Sequence, residues 1–172
     1  SESRECNNAG EWSGNFLNWA ATQTIDPFRS ALTGGYRVVD TATETQLEKA
    51  RHPNYSSTGN FPNRRLPETG NGAATVLGAT PFTANSVRMR VSGLNNQMAF
   101  SLNGNANLLD DPATVALIDY DPSITPVDNK GYRVSIRVKV CVQGLLETNC
   151  KAYGSNSKPE GLIQAYSKDI RY

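Results

Sequence analysis

Residues 51–80, RHPNYSSTGNFPNRRLPETGNGAATVLGAT, separate two kinds of sequence. Gly, Pro, Asn, Ser and Thr dominate this stretch, and Pro53, Pro62 and Pro67 each remove a backbone donor and fix a torsion. No long helix or strand runs through such a composition, so the elements on either side of it are distinct. The stretch holds too little apolar area to order itself. A structureless connection of this length is unusual inside a compact domain. It is therefore expected to pack along another part of the chain or along a second copy. Its large apolar side chains, Tyr55, Phe61, Leu66, Val76 and Leu77, are the expected anchors, inter-subunit ones if a second copy is the partner.

Before this stretch the apolar period is that of a helix. Ser13 is placed to accept from an orphan amide of a first turn. Phe16, Leu17, Ala20, Ala21, Ile25, Phe28, Ala31 and Leu32 follow at steps that line one face. Phe16, Leu17, Trp19, Phe28 and Leu32 are the expected packing residues. Pro27 predicts a kink or break near Asp26, with Asp26 capping a second short helix, and Gly34-Gly35 predicts the end. Thr41 and Glu44 have capping-box spacing, which predicts another short helix with Leu47 and Ala50 inward. Residues 1–50 thus read as a helical segment.

After residue 80 the period becomes two. Val87, Met89 and Val91 alternate with Ser86, Arg88 and Arg90, and QMAFSLNG ends in an Asn103-Gly104 turn signal. TVALIDYD is a compact apolar run. YRVSIRVKVCV, residues 132–142, is the clearest strand: Val134, Ile136, Val138 and Val140 share the face expected to be buried. Arg88, Arg90, Arg133 and Arg137 are expected on solvent faces. KPEGLIQAYSKDI predicts a closing helix of about three turns that starts near Pro159. Residues 81–172 read as a mainly antiparallel β segment ending in this helix. The whole is an α+β chain, read as one composite module over residues 1–172.

Chemistry-bearing residues are sparse. His52 is the only histidine and lies in a polar loop. There is no nucleophile elbow, phosphate loop or dinucleotide fingerprint. Asp110, Asp111, Asp119, Asp121 and Asp128 are loop acids without the glycine and closing Glu of a calcium loop. No catalytic residue, metal ligand or cofactor site is assigned, and the chain reads as non-enzymatic. Lys plus Arg is 17 against 16 for Asp plus Glu, a balance that disfavours a nucleic-acid partner. No apolar run approaches the roughly 20 residues of a membrane span. The N-terminus shows no leader, so a processed chain or an internal piece is expected. Cys141 and Cys150 lie nine apart, which fits a local disulfide better than a zinc site. Three reduced thiols in a cytosolic protein are the alternative. Cys6 is left odd.

Two stretches carry a resemblance. SGNFLNWAATQTIDPFRSALTGGYRVVDTATETQLEKA and YRVSIRVKVCVQGLLETNCKAYGSNSKPEGLIQAYSKDIRY are similar to segments of the type IV pilus-associated tip adhesins, the PilY family, in that family's order. The resemblance implies a bacterial, exported, cell-surface protein active in adhesion or pilus assembly. Its partners would be pilus subunits or a host or abiotic surface. It implies an oxidising compartment, hence a Cys141–Cys150 disulfide. It also implies that the chain is an incomplete von Willebrand factor A-like region with a β-rich insertion. The Asp-x-Ser-x-Ser metal motif of such a region is absent from the sequence. A fragment that self-assembles into an extracellular fibre through exposed strand edges is the rival expectation.

Overall fold

The computed structural model describes residues 4–6, 8, 10–49, 62–67, 69–91, 96–104, 106–109 and 116–167. The chain is α+β and divides into two compact units, each made of two sequence segments. The first comprises Ser1–Ala21 and Arg51–Ser135; the second comprises Thr22–Ala50 and Ile136–Tyr172.

The first unit is a five-stranded sheet with one helix against it. Helix α1, Gly14–Ala21, begins where Ser13 Oγ accepts from the Phe16 amide. Arg64 donates to the Trp19 and Ala20 carbonyls at the helix's other end, where a cation is favoured. The strands are β3 (Arg64–Arg65), β4 (Val87–Arg90), β5 (Gln97–Leu102), β6 (Ile118–Asp119) and β7 (Gly131–Ser135). Their order is β3-β4-β5-β7-β6, antiparallel except for the parallel β6–β7 edge. A short helix α3, Val76–Ala79, precedes β4, and a 3-10 turn, Ala106–Leu109, follows β5.

Cross-strand pairing puts Met89, Phe100 and Tyr132 side by side on one face. Trp12, Phe82 and Tyr120 close over Phe100 with ring centroids 5.7, 5.5 and 5.3 Å away. Phe16 stacks on Trp12 at 6.0 Å. This aromatic cluster is the core. The other face is also covered: Ala99 packs with Leu109 and Leu117. Double coverage corrects one expectation. Arg90 is buried rather than solvent-facing, and its guanidinium donates to the Leu109 carbonyl.

The described part of the Gly/Pro-rich stretch is ordered by this unit. β3 pairs with β4, and Leu66 and Val76 are buried in their own chain. Neither is therefore an inter-subunit anchor. Leu77 is exposed. Tyr55 and Phe61 lie outside the described residues.

The second unit contains helix α2 (Ile25–Thr33), a three-stranded antiparallel sheet of β1 (Arg37–Asp40), β2 (Thr45–Glu48) and β8 (Arg137–Val140), the β9–β10 hairpin (Cys150–Tyr153 and Asn156–Pro159) and helix α4 (Leu162–Ala165). The break between α1 and α2 falls at residues 22–24, ahead of Pro27, which sits in the first turn of α2. The expected cap is corrected: α2 begins at Ile25 after Thr24, so Asp26 is its second residue and Pro27 its third, and Asp26 accepts from the Gln23 amide ahead of the helix at 2.9 Å. Gly34 ends α2 at φ 76°, with the Gly34 and Gly35 amides donating to Ser30 and Arg29.

Further expectations are corrected here. Residues 45–48 form β2, not a helix, because they pair along their length with β8. Thr41 and Glu44 belong to the hairpin turn, with Thr41 Oγ1 accepting from the Glu44 amide at 3.1 Å. Residues 132–142 are not one strand: Ile136 interrupts them, and β7 and β8 serve different sheets. Val138, on an edge strand, is 56% exposed, while Val134, Ile136 and Val140 are half-buried. Phe28 is 59% exposed because it lies on the outer side of α2; Leu17, Trp19 and Leu32 are half-buried and Phe16 is fully buried. The described part of the closing helix is a single turn, α4.

Candidate interaction surface

The second unit is organised around its disulfide. Cys141 and Cys150 are bonded, with Cα atoms 5.6 Å apart. The bridge joins the end of β8 to the start of β9 and closes the loop VQGLLETN. Within this loop the Leu145 amide donates to the Val142 carbonyl at 2.8 Å, and Gly144 supplies the φ of +85° the turn needs. Leu145 projects from it, 77% exposed.

Pro159 pairs opposite Cys150, so the disulfide also positions the chain leading into α4. That chain lies backbone to backbone against the end of α2. A Cβ on Gly34 would stand 2.1 Å from the Pro159 carbonyl oxygen, and one on Gly161 would stand 2.3 Å from the Leu32 carbonyl carbon. Only glycine permits this approach at either position. Arg37 donates to the Pro159 carbonyl at 2.6 Å, and Gln164 donates to the Thr33 carbonyl at 3.1 Å. Asn156 ties the hairpin to the β1–β2 turn by donating to the Thr41 carbonyl and to Thr45 Oγ1.

An open groove of ≈ 670 Å³ lies between α2 and α4, with Ala31, Leu162 and Tyr166 in its lining and Lys151 and Glu160 among its polar groups. Glu160 accepts from the Tyr153 hydroxyl, and this bond raises the Tyr153 pKa. Lys158 bonds Asp40 at 2.6 Å and holds that carboxyl below its usual range. Of the two charged groups in the lining, Glu160 is held by the Tyr153 hydroxyl and Lys151 donates to the Thr148 carbonyl at 3.4 Å, and the remaining lining is mostly apolar. Such a surface can bind an apolar segment; it carries no nucleophile–base pair.

The loop acids are placed separately. Asp119 pairs with Arg133 at 2.5 Å, which lowers its pKa, and Asp121 accepts from the Ser123 amide at 2.8 Å. Asp110, Asp111 and His52 lie outside the described residues. Among the described residues no group of three or more His, Cys, Asp or Glu side chains is disposed to hold a metal. Cys6 is a free thiol. No helix among the described residues is long and apolar enough to cross a membrane. Sequence reasoning found the disulfide but missed the groove. Its walls come from residues 27–31 and 149–166, and the only signals were Gly34 and the Pro159–Gly161 stretch.

Residues 1–108 match the family described as PilY1 homolog, small alpha/beta domain. The chain belongs to the PilY1 homolog family. It is 51% identical over 173 residues to a type IV pilus biogenesis factor PilY1 homolog of Xylella fastidiosa (strain Temecula1), a match covering 97% of this chain. A second such factor from the same organism is 29% identical over 202 residues, covering 99% of the chain. The chain spans only 14% and 13% of the lengths of these relatives. No solved structure matches it. Both relatives are named as type IV pilus biogenesis factors.

Proposed function

We propose that the chain is a non-enzymatic, extracellular interaction module of a type IV pilus biogenesis protein, acting in pilus assembly or adhesion. The observation that carries this reading is the 51% identity, across nearly the whole chain, to a relative named for pilus biogenesis. The Cys141–Cys150 disulfide supports export, since such bridges persist in oxidising compartments. The exposed Leu145 of the disulfide-closed loop and the α2–α4 groove support work through binding. Its partners would be pilus subunits or a surface. The reading of the chain as an incomplete von Willebrand factor A-like region with a β-rich insertion rests on the sequence resemblance alone. The fibre reading has less support: the edge strand β8 carries Arg137 and Lys139, and charge on an edge strand resists pairing.

The test is an in-frame deletion of this stretch from its gene in the native host, scored for surface pili by electron microscopy and for adherence. Loss of pili assigns the module to assembly. Normal pili with lost adherence assign it to adhesion. Unchanged piliation and adherence overturn the proposal.

A further inference from the structure

The sequence holds two Asn-Gly pairs, Asn71-Gly72 and Asn103-Gly104. This pairing has a chemistry of its own. Glycine has no Cβ, so its amide nitrogen can approach the side-chain carbon of the preceding asparagine without a clash. Attack at that carbon closes a five-membered imide and expels ammonia. The reaction needs a carboxamide free to turn and room around the glycine nitrogen. The two pairs differ in both respects.

Asn103 is held. Its Oδ1 accepts from the Asn85 and Ser86 amides, both at 3.0 Å, and its own amide donates to the Ser86 carbonyl at 3.1 Å. Gly104 is buried, and a Cβ there would stand 2.6 Å from Leu108 Cδ1 and 2.9 Å from Ser101 Oγ. The carboxamide cannot turn toward the Gly104 nitrogen without giving up two hydrogen bonds, and burial of Gly104 keeps water from an imide formed there.

Asn71 is free to react. Asn71 and Gly72 are the central residues of a turn closed by the Ala73 amide, which donates to the Gly70 carbonyl at 3.1 Å. Gly70 and Gly72 on either side take φ of 87° and 71°, and the second is the position where such a turn calls for glycine. The Asn71 side chain is exposed. Among the described residues neither its carboxamide nor the Gly72 amide makes a hydrogen bond.

We propose that Asn71 is a site of spontaneous deamidation in the folded chain and that Asn103 is not. The Gly72 nitrogen gives up its proton and bonds to Asn71 Cγ. The Cγ–Nδ2 bond breaks, and the side-chain nitrogen leaves as ammonia with that proton. Solvent water then opens the imide at either carbonyl, which leaves an aspartyl or an isoaspartyl residue at position 71. Water is consumed, ammonia is released, and nothing is oxidised or reduced. The product carries one more negative charge, which takes the formal net charge from +1 to zero. The charge arises one residue before the Gly72 carbonyl, which accepts from the Arg4 guanidinium, so a cation is close at hand. The isoaspartyl form also lengthens the main chain by one methylene just ahead of that carbonyl. Fresh and aged chains therefore differ where residues 4–6 are tied to residues 72–78, through Arg4 to Gly72, Glu5 to Thr75 and Cys6 to Gly78.

Peptide mapping tests this. The native chain is held in mildly alkaline buffer for several weeks, sampled, and digested with trypsin. The two pairs fall on separate peptides, residues 66–88 and residues 91–130. Fragmentation should place a gain of about 1 Da on Asn71. Asn71 should react at least about tenfold faster than Asn103, which must first break two hydrogen bonds. After reduction and unfolding in guanidinium chloride the two should react at similar rates, because the reacting pair is then the same and equally free. Asn71→Gln should abolish the gain in peptide 66–88. Similar rates at both positions in the folded chain overturn the proposal. So does an Asn103 that stays slow in the unfolded chain, or a gain in peptide 66–88 that survives Asn71→Gln. The measurement is blind to piliation, so its failure leaves the proposed function standing.

Discussion

Phe100 and Phe28 show how little residue type alone says about energetic role. Phe100 is fully buried and touches Trp12, Phe82, Tyr120 and Tyr132. Phe100→Ala should cost about 3–5 kcal/mol, read as an earlier urea midpoint by tryptophan fluorescence. Phe28 has the same side chain on an exposed helix face. Phe28→Asp in the isolated chain should change stability by no more than about 0.5 kcal/mol, and a loss above about 2 would mean the face is covered within the chain. Lys49 adds a pH effect. Burial lowers its pKa from the ordinary 10.5 to about 8, with Asp26 and Glu48 opposing the shift. Between those values the unfolded chain holds the proton and the folded chain does not, so stability rises with pH across this window. The full penalty of burying the ammonium is present below about pH 8. Relief should be worth at most about 3 kcal/mol. Urea midpoints by far-ultraviolet circular dichroism at pH 7 and pH 10 measure it. A Cys6→Ser background prevents thiolate exchange with the disulfide. Lys49→Met should abolish the rise.

At the scale of elements, pairing partners outweighed local preference. Residues 45–48 read locally as helix, yet β8, some 90 residues away, supplies a partner for every one of them. Long-range hydrogen bonds and the Arg137–Glu48 and Lys139–Glu44 contacts hold that pairing. The helix ends were legible for the opposite reason: the Ser13 cap and the Gly34 stop are made by residues within one turn. Gly34 carries a second, non-local demand, the close passage of Pro159. Gly34→Ala therefore meets both a left-handed backbone and a clash with a carbonyl. It should cost more than the roughly 1 kcal/mol of backbone strain alone. Exchange of the α4 amides should also accelerate, since the hairpin must move away. An unchanged α4 would mean that the two backbones do not depend on each other.

At the scale of the whole molecule, the disulfide and both tryptophans fall in different units. Cys141 and Cys150 lie in the second; Trp12 and Trp19 lie in the first. Replacing both cysteines with serine should lower the second unit's stability by about 2–3 kcal/mol by releasing a short loop. Circular dichroism should then show a separate early transition, while the tryptophan transition stays in place. A single shifted transition by both probes would mean that the two units unfold as one.

The sequence by itself determined what depends on neighbours along the chain. It set α1 and α2 with the Ser13 cap, the Gly34 stop and the break between them, the Asn103-Gly104 turn whose Asn103 side chain accepts from the Asn85 and Ser86 amides, and the alternation in β4 and β5. It also placed Cys141 and Cys150 close enough to bond. Periodicity names a face as apolar but not what lies opposite it, so burial was decided in space. That is why Arg90 is covered, Phe28 and Val138 are bare, and Leu66 belongs to a core rather than an interface. The split of residues 132–142 between two sheets was equally beyond local reading: it depends on β5 and β2, which bind β7 and β8 from distant parts of the chain. The groove between α2 and α4 exists only because two glycines far apart in sequence let two backbones touch.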